Sequence, residues 1–221
     1  MIQYFGFFAL SLLVSYLLGS VSFAIIVSKA IAHFDVREKG SGNAGMTNVV
    51  RTMGWKPGVL TFLGDALKGA AAVLLTRYLL LEPAFAAAGE GAISVFLAPR
   101  YLTYFCAIAC MLGHVFPVFF QFRGGKAVST AIGVLACIHW EGAILVFVTF
   151  LILVLIMRMV SIGSVMGAVQ WTFSVLLLAA SNGLPLQLYE TLLASLLSFI
   201  VIVKHKDNLR RLHRGEEKTL W

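Results

Sequence analysis

Residues 40–45 read Gly-Ser-Gly-Asn-Ala-Gly, a match to the pattern G-x-G-x-x-G. How this stretch is read decides the fold. In a dinucleotide-binding turn a buried strand leads into the glycines and a helix leaves them, inside a βαβ unit. That reading predicts a layered α/β sheet. The residues ahead of it exclude one: an apolar run near residues 4–28, then the charged loop His33-Phe34-Asp35-Val36-Arg37-Glu38-Lys39. An apolar run of that length is a membrane helix, and no strand precedes the glycines. The phosphate-loop pattern of nucleoside triphosphatases is absent too. Phe120 stands where the first glycine before Gly125-Lys126 should be, and Ala127 follows the lysine. The glycines keep a simpler meaning. A glycine-rich turn lets backbone N–H groups converge on an anion, most often a phosphate.

Working outward, the composition agrees with a membrane chain. Of the 221 residues 60% are hydrophobic and 12% charged, and the mean hydropathy is +0.91. A water-soluble domain carries about 25% charged residues. The expected fold class is therefore an all-α polytopic membrane protein, a single domain over residues 1–221. Seven spans are expected, near 4–28, 57–80, 101–121, 127–140, 142–158, 160–180 and 186–204, and 127–140 is the shortest for a crossing. The first is read as a retained helix, since no A-x-A-like cleavage site follows it. The apolar segment from Pro83 to Pro99 carries Glu90 and is expected to be external. Cys106, Cys110 and Cys137 lie in apolar runs and have no metal-ligand spacing with histidine, so neither a disulfide framework nor a metal site is expected.

Lysine and arginine set the direction of insertion. Lys29, Arg37, Lys39, Arg51 and Lys56 lie in the first loop, Arg123 and Lys126 in the third, and Arg158 in the fifth. The tail holds Lys204, Lys206, Arg210, Arg211, Arg214 and Lys218, while the even loops hold little beyond Arg77 and Arg100. The odd loops and the C-terminus are expected in the cytoplasm and the N-terminus outside. The net charge of +7 then follows membrane topology, and no nucleic-acid partner is expected.

The same loops carry the polar motifs: GSGNAGMTNVVRTMG at 40–54, GHVFPVFFQFRGGKAVST at 113–130, VSIGS at 160–164 and KHKDNLRRLHRGEE at 204–217. Ser, Asn, Thr, Arg, Lys and His among glycines form a phosphate-binding inventory. A plain topology signal explains Lys29 or Lys206. It does not explain Ser41, Asn43, Thr47 and Asn48 gathered around Arg51, or Lys126 behind Gly124 and Gly125. Asp65 and Lys68, three apart on the second span, can pair on one helix face; a functional and a structural role stay equally open. His114 is read as structural.

These motifs, with Asp65-Ala66-Leu67-Lys68-Gly69, closely resemble the bacterial acyl-phosphate:glycerol-3-phosphate acyltransferase family, PlsY, in the family's order and over nearly the whole chain. Ala44, Met46 and Ser129 are mild departures from its pattern. The resemblance implies seven helices, an external N-terminus and a cytoplasmic active site in the bacterial plasma membrane. It implies transfer of a fatty acyl group from acyl phosphate to the sn-1 hydroxyl of glycerol 3-phosphate, without a cofactor. The implied partners are these two substrates, membrane lipids and the enzyme that makes acyl phosphate. His205, Lys126, Arg51 and Asn208 are the implied catalytic residues. Ser41, Gly42, Asn43, Thr47, Asn48, Gly124, Gly125, Ser161 and Ser164 are the implied substrate-binding residues, with Ser161 and Ser164 on the acyl-phosphate side. The proton acceptor is left open between His205 and a substrate phosphate. A transporter would place binding groups near the midplane, often in inverted repeats. Here the polar motifs gather at one face and no repeat is visible.

Overall fold

The computed structural model describes residues 2–89 and 93–220, Ser181 and Asn182 by backbone alone. The described residues fold into helices α1 (Ile2–Ser20), α2 (Phe23–Ala32), α3 (Met46–Met53), α4 (Trp55–Leu75), α5 (Glu82–Ala88), α6 (Pro99–Val115), α7 (Val128–Ile138), α8 (Trp140–Met157), α9 (Val160–Leu178), α10 (Leu184–Lys204) and α11 (Lys206–His213). Among the described residues six stretches are long and apolar enough to cross a membrane: Ile2–Ala32, Trp55–Ala88, Pro99–Phe120, Trp140–Met157, Val160–Leu178 and Leu184–Lys204.

Many buried positions are small or polar, and many large apolar side chains face outward. Helix α1 buries Ser11, Ser15 and Gly19 and exposes Leu10, Leu13 and Leu17. Lipid is as apolar as leucine, so association is driven by close backbone packing between small residues. Two crossings depend on it. A methyl added to Gly19 of α1 would overlap the Cys110 carbonyl of α6, and one on Gly113 would overlap the Tyr16 carbonyl. In the same way Gly69 of α4 lies against the Thr130 carbonyl of α7, and Gly133 against Ala66.

Two departures from the sequence reading matter for the site. The first span breaks at Val21-Ser22 between α1 and α2. A break at membrane depth must be satisfied within the protein, and the Lys68 ammonium does so by donating to the Val21 carbonyl. The second concerns 127–140. Its helix, α7, has only 11 residues, about 16 Å, roughly half of a hydrocarbon core. Yet its ends meet opposite ends of α6. Thr130 touches the His114 ring, while His139 shares Glu190 with Arg100. Loop 116–127 makes up the missing depth. Gly124 and Gly125 donate their amides to the Val115 and His114 carbonyls, at 3.2 and 3.1 Å, which draws the loop into the bundle.

The start of the segment expected as an external loop or a surface-lying segment packs on the bundle. A π-helical turn, Thr76–Leu81, carries α4 into α5, and Leu81 and Ala84 pack with Tyr4, Leu102 and Cys106. Glu90 lies outside the described residues.

Candidate active site

All four polar motifs meet at one end of the bundle, around a cleft of about 720 Å³. Loop one is a small fold of its own. Gly40 and Gly42 turn the chain at φ 64° and 72°, a conformation that favours glycine. Asn48 holds the turn: its Oδ1 accepts from the Ser41 amide at 2.8 Å, and its Nδ2 donates to the Val36 and Lys39 carbonyls. Beneath it Val36, Ala44 and Val49 form an apolar cluster. Arg37 clasps loop one to loop three, chelating Asp35 through Nε and Nη2 and donating from Nη1 to the Phe120 and Arg123 carbonyls. The N-terminus of α3, at Gly45, Met46 and Thr47, lines the cleft; such an end carries free amides and partial positive charge.

Loop three delivers Lys126. The chain turns through a left-handed Ala127, φ 60°, buried at the start of α7. Lys126 Nζ donates to Asn208 Oδ1, which fixes the orientation of that amide, and Asn208 Nδ2 donates to Glu217 Oε1. Glu217 also accepts from Ser161 Oγ at 2.9 Å and from Arg211 Nε at 2.8 Å. Residues from loop three, α9, α11 and the tail are thereby joined in one network. Arg51 stands at the rim and donates from Nη2 to the carbonyls of Lys218 and Thr219.

Burial pushes the Lys126 ammonium down to about 8; Glu217 opposes this, while Arg211 and Arg51 add to it. Burial likewise pushes His205 down to about 4, reinforced by Lys126. Its Nδ1 lies 2.8 Å from the Val201 carbonyl. A neutral ring there carries its proton on Nδ1 and leaves Nε2 as an acceptor. For Glu217, burial raises the carboxyl. The hydrogen bonds from Asn208, Ser161 and Arg211, with the Arg211 charge, outweigh it, so the group is held below the usual carboxylate range. Under the cleft lies a second polar knot. Lys68 Nζ is 2.8 Å from Asp65 Oδ1 and 3.0 Å from His114 Nδ1, which Thr130 Oγ1 also reaches. No group of His, Cys, Asp or Glu among the described residues could hold a metal ion.

A sequence model of the family described as Glycerol-3-phosphate acyltransferase matches residues 9–215. The chain belongs to that family. A glycerol-3-phosphate acyltransferase of Clostridioides difficile (strain 630) is 39% identical over 94% of this chain and 92% of its own. One from Photobacterium profundum is 36% identical over 94% and 90%. The crystal structure of PlsY (YgiH), an integral membrane glycerol 3-phosphate acyltransferase, in its glycerol 3-phosphate form superposes with a TM-score of 0.76 at 32% identity, covering 96% of this chain and 94% of that one. Its lysophosphatidic acid form superposes at 0.74.

In this acyltransferase Ser41, Gly42, Asn43, Thr47, Asn48, Arg51, Lys126, Ser161, Ser164, His205 and Asn208 all line the cleft. Gly124 and Gly125 do not. A side chain on either would overlap the His114 carbonyl or ring, so they act as spacers that seat Lys126. The amides of Ser41, Gly42 and Gly45 bond Asn48, Lys39 and Asn43 inside the loop. Asn48 is committed to the loop by three hydrogen bonds. The sequence reading passed over Glu217, Arg211 and the Asp35–Arg37 clasp. Arg37, two residues after Asp35 in a loop crowded with polar residues, was the available signal. Asp65 and Lys68 prove to be a buried pair beneath the site, with Asp65 and His114 reaching the cleft lining.

Proposed function

We propose that the enzyme transfers a fatty acyl group from acyl phosphate to the sn-1 hydroxyl of glycerol 3-phosphate, giving lysophosphatidic acid and inorganic phosphate. The whole chain acts as one unit of seven crossings, α7 being the short one. The N-terminus lies outside and the cleft faces the cytoplasm of a bacterial plasma membrane. The observation that carries this reading is the shape of the cleft. Arg51, Lys126 and Arg211 gather at one end, and the space continues between Val128, Ile132, Phe147 and Phe150 into an apolar pocket. A cationic end joined to an apolar one suits an acyl chain activated by a phosphate. The named relatives solved with glycerol 3-phosphate and with lysophosphatidic acid supply a substrate and a product of that reaction.

The two substrates carry phosphates that repel. Lys126, Arg51, Arg211 and the α3 terminus offset that repulsion and hold the hydroxyl beside the acyl carbonyl, so positioning and charge stabilisation supply most of the rate. The hydroxyl oxygen then bonds to the carbonyl carbon, the bond from that carbon to the phosphate oxygen breaks, and phosphate leaves. His205, held neutral, accepts the hydroxyl hydrogen bond at Nε2 and orients it. With a pKa of about 4, it is a weaker base than a phosphate dianion, whose pKa is about 6. The departing phosphate takes the proton, and charge balances without another base.

The test compares hexadecanoyl phosphate with hexadecanoyl-CoA as donor to radiolabelled glycerol 3-phosphate, using purified enzyme in detergent. The phosphate should support acylation and the thioester should not. Comparable rates with the thioester would overturn the assignment of the donor.

A further inference from the structure

Beyond Ser164 the cleft continues into a smaller pocket between α7, α8, α9 and α10. Gly163, Gly167 and Trp171 of α9 line it. They stand four residues apart, so they share one face of the helix. The glycines let α8 pack closely along that face, and the indole closes its far end. Trp171 is 1% exposed. Its ring lies close over Gly142 of α8 and 6.2 Å from the His139 ring. Its Nε1 has no hydrogen-bond partner among the described residues, although a buried indole N–H ordinarily finds one. Packing alone holds the ring, and it ends the pocket by bulk.

We infer that Trp171 is the floor of the acyl-chain pocket and sets the longest acyl chain the enzyme accepts. This rests on the proposal that the cleft binds an acyl phosphate. Ser161, at the polar end, and Trp171 are ten residues apart on α9, about 15 Å along its axis. One leaflet of a bilayer core has a depth of about 15 Å, which is the length its acyl chains fill. A chain of ordinary membrane length therefore fits between the cationic end and the indole, and a longer one meets the ring. The wall cannot widen to receive it, because Gly163 already lies against Phe150 and Val154, and Gly167 against Val146.

The experiment measures kcat/KM for dodecanoyl, hexadecanoyl and icosanoyl phosphate in wild type, Trp171→Ala and Ala168→Leu. Wild type should lose about tenfold on the icosanoyl donor relative to the hexadecanoyl one, the scale of discrimination an apolar pocket achieves. Trp171→Ala should raise the icosanoyl-to-dodecanoyl ratio about tenfold. Ala168 lines the same pocket three residues before Trp171, so Ala168→Leu fills it short of its floor and should move the loss to the hexadecanoyl donor. A flat wild-type profile overturns the inference, as do folded variants that keep the wild-type profile. Should Trp171→Ala fail to fold, Ala168→Leu decides by the same shift. Failure of the underlying reading looks different: no acyl phosphate of any length then supports transfer by wild type.

Discussion

Lys126 and His205 are shaped by burial in the same direction and are used differently. Each is pushed toward its neutral form, Lys126 to about 8 and His205 to about 4. At neutral pH the lysine is still mostly charged and the histidine is neutral, which suits the proposed roles of binding an anion and accepting a hydrogen bond. The lysine charge is present below its pKa and is lost as pH rises through it. The profile of kcat/KM follows groups of the free enzyme, and the substrate phosphate is already a dianion above pH about 6. Varying glycerol 3-phosphate, kcat/KM should therefore fall by about tenfold per pH unit above about 8. Lys126→Arg keeps its charge throughout and should remove that basic limb, at a lower plateau. A basic limb that persists in Lys126→Arg would show that another group titrates.

At the scale of elements, the short α7 makes the site possible. A full-length helix would fill the space where loop three dips and Lys126 meets Asn208. The short helix is held by its seam with α4, where Gly69 and Gly133 bring backbones into contact. Gly133→Ala would press a methyl into the Ala66 carbonyl. Overpacking of this kind costs about 1–3 kcal/mol, a fall of roughly 3–10 °C in the thermal midpoint for a chain of this size. Gly6→Ala, on a surface with nothing within 4 Å of the new methyl, serves as the control and should leave the midpoint in place. Thermal unfolding in detergent measures both. Equal midpoints for the two variants would mean that the α4–α7 seam has room to relax.

At the scale of the whole molecule, the polar motifs lie at one end and the Arg100–Glu190–His139 cluster at the other. In the proposed topology the motif end, rich in lysine and arginine, faces the cytoplasm. Single cysteines test this in a chain with Cys106, Cys110 and Cys137 replaced. Arg123→Cys, in loop three, should resist a membrane-impermeant thiol reagent on intact cells and react after permeabilisation. Val95→Cys, exposed between α5 and α6, should react on intact cells. Outside labelling at residue 123 would reverse the orientation.

Much of this protein was legible in its residues. The long apolar runs declare spans because a backbone in lipid must satisfy its own hydrogen bonds. The basic loops give an expected direction because lysine and arginine are retained on the cytoplasmic side, and thiol labelling tests it. Polar residues clustered around Arg51, Lys126, Ser161 and His205 marked the cleft, since so many anion-binding groups in short loops exceed what topology requires. Local pattern could not show which groups were already engaged. Asn48 reads like a ligand, yet it closes a turn; Gly124 and Gly125 read like substrate-binding residues, yet they pack against His114. The depth of α7 was hidden because it depends on amides of loop three finding carbonyls at the end of α6. The Lys126–Asn208–Glu217–Ser161 network and the pocket ending at Trp171 join residues far apart along the chain. Spans, charge asymmetry and the chemical type of the site followed from the sequence alone, because each is set by how a segment meets lipid or water. The geometry of the site was decided only by the tertiary structure, because it arises where distant backbones approach and compete for the same hydrogen bonds.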